Sequence, residues 1–151
     1  MKKILQKIIQ TEDTPILTVA RLTLGMIIIP HGAQKLLGLF GGYGFNGTMG
    51  YFTGLGVPVI AAFLIIMAES LGSLALILGF IGRFMAMSIT MVMTGAMLMV
   101  HLPNGFFMNW GGQQQGEGFE FHLLAIGLGI AVMIGGSGRY SLDRMLKKWF
   151  P

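Results

Sequence analysis

The sequence predicts an all-α integral membrane protein: a four-transmembrane-helix bundle with short interfacial amphipathic helices at both termini. Three observations predict it. Hydrophobic residues make up 54% of the 151 residues and charged residues only 11%, against roughly 25% charged in a soluble domain. Mean hydropathy is +0.73. Four segments, 16–40, 57–79, 84–102 and 119–136, are apolar over the roughly 17–25 residues that cross a bilayer. The length is that of one domain, taken as 1–151.

The first ten residues place Ile4, Leu5, Ile8 and Ile9 on one face and Lys2, Lys3, Gln6 and Lys7 elsewhere, the pattern of a helix lying in the headgroup region. These lysines resemble the start of a signal peptide. The apolar stretch after them contains Arg21, His31 and Lys35 and lacks an A-x-A-like cleavage site, so the first span is expected to stay in the protein. At about 100° per residue, Arg21 and Lys35 differ by roughly 40°, and His31 lies within about 80° of Arg21. All three can share one face, with Gly25 and Gly32 allowing a neighbour to approach, and Pro30 is expected to kink or loosen the helix. Arg21 sits about 7.5 Å from the span's start at 1.5 Å per residue, and two readings stay open: it snorkels to the surface, or it pairs with Glu69.

The second span has Glu69 as its only charge, between Ala68 and Gly72, and that carboxylate is expected to face the bundle interior. Span three ends with His101, and span four begins with Glu120 and His122. Taken alone, His122 reads as an interfacial residue, and Lys35 is within reach of the outer headgroups. Gly127, Ala131 and Gly135 form a small-residue stripe at i+4 spacing, expected to allow close helix packing. Leu142, Met145, Leu146, Trp149 and Phe150 then make a second amphipathic stripe opposite Arg144, Lys147 and Lys148, with Ser141 as N-cap. Eight of the ten Lys and Arg flank the termini or the turn between spans two and three, while the connections 41–56 and 103–118 have none. The positive-inside rule therefore predicts that both termini are cytoplasmic.

Cysteine is absent, which excludes disulfides, thiolate nucleophiles and iron–sulfur ligation. No metal site is predicted. The net charge of +4 is assigned to membrane-facing basic residues, not to nucleic-acid binding. Gly42-Tyr43-Gly44-Phe45-Asn46-Gly47 matches G-x-G-x-x-G but lacks the strand–helix context of a dinucleotide site, and is expected to be a flexible turn. The informative groups are those ionisable within spans, where a charge costs about 2.5–3.5 kcal/mol. His31, Lys35, His101, Glu120 and His122, from spans one, three and four, are expected to converge on the outer half of the bundle.

The chain resembles the DoxX family of small bacterial four-helix membrane proteins from about Thr18 to Met145. The resemblance is carried by Arg21-x-x-x-Gly25, His31-Gly32-x-x-Lys35-x-x-Gly38, Gly41-Gly42-Tyr43-Gly44, Gly54-Leu55-Gly56-Val57-Pro58, Glu69-x-x-Gly72, His101, Glu120 and the ending Gly136-Ser137-Gly138-Arg139-Tyr140-Ser141-Leu142-Asp143. It implies a multi-pass protein of the bacterial inner membrane. The family is named for similarity to a subunit of an archaeal thiosulfate:quinone oxidoreductase, and a mycobacterial relative is associated with a complex containing superoxide dismutase and a sulfurtransferase. The implied function is a quinone-interacting subunit of a sulfur or oxidative-stress redox system. His31, Lys35 and Glu69 are then the catalytic candidates, and Arg21, His101, Glu120 and His122 join them as cofactor-binding candidates. Competing readings are a non-enzymatic anchor for a redox partner, a small transporter using Glu69, and a haem b protein with two histidine ligands from His31, His101 and His122. Homo-oligomerisation is compatible with each.

Overall fold

A computed structural model describes residues 2–148, and among these every regular element is helical. In chain order they are α1 (Lys2–Ile9), α2 (Pro15–Leu37), α3 (Gly44–Gly54), α4 (Val59–Leu78), α5 (Gly82–Asn104), α6 (Glu120–Gly135) and α7 (Leu142–Lys147). Three of them, α2, α4 and α5, are long and apolar enough to cross a membrane, and α6 is a shorter apolar helix of 16 residues. Trp149 and Phe150, the end of the expected C-terminal stripe, lie outside the described residues.

Local chemistry sets the ends of α2. Thr14 accepts a hydrogen bond from Ile16 N at 3.3 Å, Pro15 occupies the first turn, where its missing N–H costs nothing, and Gly38 ends the helix at φ 74°. Helix α2 continues through Pro30 as far as Leu37. The glycine-rich segment 42–47 is not a flexible turn: it enters the 11-residue helix α3. Helices α4 and α5 each contain a π-helical turn, Ala68–Gly72 around Glu69 and Met97–His101 ending on His101. Such turns frequently mark functional positions, because the extra residue re-aims a side chain.

One apolar core joins the four long helices through Leu24, Ile28, Leu76, Ala86, Ile89, Met93, Ala125 and Val132. Outside it, Ile60, Leu124, Ile134 and Met91 are about two-thirds or more exposed, at 74%, 71%, 70% and 67%. An apolar exterior on that scale is a lipid-facing surface. The close approaches of α6 are made by Gly129, which lies against Thr90 and Ala86 O, and by Gly135, which lies against Leu17. Gly127 has open space around it and Ala131 is exposed, so the expected stripe is displaced.

Both described chain ends lie at one end of the bundle, here the terminal end. Glu12 N donates to Gly135 O at 3.0 Å, Arg139 N to Thr14 O at 3.1 Å, and Arg83 reaches Gln10 O and Met133 O at 2.7 Å each. The α1–α2 linker, the α4–α5 turn and the segment before α7 are thereby laced together. Asp13 bonds Arg139 at 2.7 Å and also pairs with Arg144, and these guanidinium groups hold its carboxyl well down, at about 2.

Candidate functional site

Two polar clusters occupy the bundle, and they differ in how completely their groups are satisfied. At the terminal end, Arg21 is buried to 2% exposure, neither snorkelling nor paired with Glu69. Its Nε donates to Ser137 O at 2.7 Å, its Nη1 to Leu76 O at 2.8 Å and Ile77 O at 2.5 Å, and its Nη2 to Tyr140 O. The Leu76 and Ile77 carbonyls belong to the last turn of α4; Gly79 N also donates to Leu76 O at 2.9 Å, and Arg21 adds donors to both, capping that helix from a neighbouring one. Beside it, buried Asp143 accepts from Ile81 N at 2.7 Å, Gly82 N at 2.9 Å and Ser137 Oγ at 2.6 Å, capping the start of α5.

The second cluster sits further along the bundle. From Leu17 to His31 is fourteen residues of α2, about 21 Å at 1.5 Å per residue. Here Gly32 brings the α2 backbone against Glu69 and Ser70, where a Cβ would collide with main-chain atoms. That contact sets α4's π-helical turn beside α2. One turn on, Lys35 Nζ meets Glu69 Oε2 at 2.5 Å, with side-chain exposures of 24% and 5%. Lys35 is therefore tied into the bundle and does not extend to headgroups. The turn is braced from behind, with Ser73 Oγ donating to Glu69 O at 2.5 Å and Ser70 Oγ to Ile66 O at 2.5 Å.

His31 and the other two histidines complete this region. His31 is exposed as a residue, and its ring packs on Phe121 at a centroid distance of 6.3 Å. Phe121 in turn meets His122 edge-on at 5.5 Å. His122 is 5% exposed, not interfacial, and its Nδ1 is buried without a hydrogen-bond partner among the described residues. Its ring lies 4.1 Å from that of His101, whose Nδ1 is 2.9 Å from Glu117 O in the loop. At that separation the two rings leave no room for a porphyrin plane between them. Among the described residues no three His, Cys, Asp or Glu side chains gather as a metal-ligand set.

A model of the DoxX family matches residues 16–102. "Inner membrane protein YqjF" of Escherichia coli (strain K12) is 33% identical over 139 residues, covering 91% of this chain and 97% of the relative. The chain belongs to the DoxX family. No solved structure matches it significantly. With its long apolar helices and lipid-facing exterior, this DoxX protein is a multi-pass protein of the bacterial inner membrane.

Within this DoxX protein the sequence candidates divide by position. His31, Lys35 and Glu69 come together, with His101 and His122 adjoining through Phe121. Arg21 belongs to the other cluster. Glu120 turns toward the loop, where its Oε1 accepts from Met108 N at 2.8 Å and Trp110 Nε1 at 3.4 Å, so it shapes the loop beside the cluster. Phe121 and Gly32 are the two contributors that chemistry-bearing residue types alone do not single out as site residues. Phe121 links two histidines by ring contact, and Gly32 acts through the space it leaves.

Proposed function

We propose that this DoxX protein is a quinone-interacting subunit of a membrane redox system, with both termini cytoplasmic and α6 completing a four-helix bundle. The observation that carries the reading is the exposed residue His31, six residues or about 9 Å inside the far end of α2, beside a part-buried ion pair. A polar residue exposed within a membrane-crossing helix is costly unless it finds a partner, and a lipid-soluble quinone arriving laterally from the bilayer would supply one. Quinone, when bound, accepts two electrons and two protons.

The chain's own residues have the matching chemistry. The His31 ring can donate to a carbonyl oxygen and deliver a proton at that nitrogen. Lys35 Nζ, held by Glu69, presents further N–H donors and keeps the local charge near neutral. Phe121 offers an aromatic face to a planar ring. His122 and His101 connect Phe121 to the loop at Glu117, where water can exchange protons with His101. The chain lacks cysteine, so electrons reach the quinone from a partner protein or from the substrate.

The test is quinone content of the protein purified in mild detergent, measured by mass spectrometry beside a His31→Ala/Lys35→Ala variant. Near-stoichiometric quinone in the parent, lost in the folded variant, is the expected result. Background quinone in both would overturn the reading in favour of a non-enzymatic anchor.

A further inference from the structure

The terminal end of the bundle carries a groove that quinone chemistry does not use. It lies between the last turn of α4 and α7, encloses about 380 Å³, and includes Leu78, Tyr140 and Met145 on its apolar side and Arg139, Arg144 and Lys148 on its basic side. Leu78, Tyr140 and Met145 are exposed at 51%, 69% and 61%, so they form an open wall and not a core. The volume falls in the range of small-ligand sites, roughly 300–1,000 Å³. The groove bears three cations, two of which, Arg139 and Arg144, share the carboxylate of Asp13. The neighbouring carboxylate, Asp143, is buried and turned inward onto Ile81 N, Gly82 N and Ser137 Oγ, so it does not offset the groove's charge.

We infer that this groove holds the phosphate headgroup of an acidic phospholipid. A phosphodiester anion satisfies the basic side through charge-assisted hydrogen bonds, for which guanidinium groups are well shaped. The apolar wall decides between a lipid and free phosphate, because Leu78 and Met145 can cover the first carbons of acyl chains, while inorganic phosphate gains nothing from them. A second concavity beside it is lined by Thr11, Asp13, Arg144, Lys147 and Lys148, so its apolar surface comes from the stems of polar and basic side chains and not from residues such as Leu78 and Met145. The position also fits, since Leu78 ends a membrane-crossing helix and α7 is amphipathic, which sets the groove at headgroup depth.

The experiment uses the full chain in detergent, titrated with phosphatidylglycerol, phosphatidylcholine or inorganic phosphate, with bound lipid counted by native mass spectrometry. The inference predicts retention of about one phosphatidylglycerol per chain at concentrations where phosphatidylcholine is not retained. Lys148→Gln, at an exposed position, should weaken retention about fivefold, the effect of one basic residue near an anionic surface. Asp13→Asn removes the competing carboxylate and should strengthen it. Equal retention of both lipids, or displacement of phosphatidylglycerol by an equal concentration of inorganic phosphate, would overturn the lipid assignment. Lys148→Gln and Asp13→Asn both leaving retention unchanged would overturn the groove.

Discussion

Arg21 and Lys35 lie on the same helix, and the difference between their surroundings separates architecture from chemistry. Arg21 donates to four main-chain carbonyls and is closed off by the Asp143 cap, with the ends of α4 and α5 both tied to it. Around Lys35 the polar groups are less fully occupied: His31 is exposed at membrane depth, and His122 Nδ1 is buried without a partner among the described residues. A fully satisfied buried network rigidifies a fold, whereas an incompletely satisfied one costs free energy and persists where it is used. The terminal-end cluster is thus the more fully satisfied of the two, and the proposed function places the quinone at the His31–Lys35–Glu69 cluster.

The largest expected effect breaks the first half of that comparison. Arg21→Met removes the donors from four carbonyls and leaves three of them, Ile77, Ser137 and Tyr140 O, without the partner described; at about 1–3 kcal/mol for each buried group left unsatisfied, it should cost about 3 kcal/mol or more. Denaturant or thermal unfolding in detergent checks it, and a loss below 1 kcal/mol would mean that Arg21 is a passenger. Next, Gly32→Ala drives a methyl into the Glu69 main chain and should cost about 1–3 kcal/mol through overpacking. It should also displace the π-helical turn and reduce quinone retention. Equal stability and unchanged retention would show that the close approach is incidental.

The paired change Lys35→Met with Glu69→Leu sharpens the other half. Replacing both members of a buried ion pair by apolar residues is often neutral or stabilising, and this pair is only part-buried, so unfolding should move by less than about 2 kcal/mol. Either single change leaves a charge unpaired and should be worse than the double, and a thermodynamic cycle measures the coupling.

Much of this division is legible in the sequence, for identifiable reasons. Span positions follow from hydropathy. Glu69, a lone carboxylate in apolar sequence, has to turn inward, and it lies buried within the π-helical turn. The partners of Arg21 are illegible because they are main-chain carbonyls, two of them more than a hundred residues away, which no residue type announces. Asp143 is hidden similarly: it sits in an amphipathic terminal stretch, yet it caps a helix about sixty residues earlier in the chain. The helix α3 was obscured by glycines, whose low helix propensity argues for a turn until packing against α2 and α4 overrides it.

The smallest effect is at the terminal surface. Asp13 has its carboxyl lowered from 3.8 to about 2 by Arg144 and Arg139, so the folded state binds its proton more weakly than the unfolded chain. Its contribution is present above about pH 4 and is lost as pH falls toward about 2. A slight fall in thermal midpoint across that window, removed by Asp13→Asn, is the expected record.

The most direct test sets the two clusters side by side. Thermal midpoint and bound quinone are measured on the parent, Arg21→Met and the Lys35→Met/Glu69→Leu double variant under one detergent condition. Arg21→Met is expected to lower the midpoint, while the double variant keeps it and loses quinone. A double variant that unfolds, or one that retains quinone at the parent's level, would contradict the assignment of function to the His31–Lys35–Glu69 cluster.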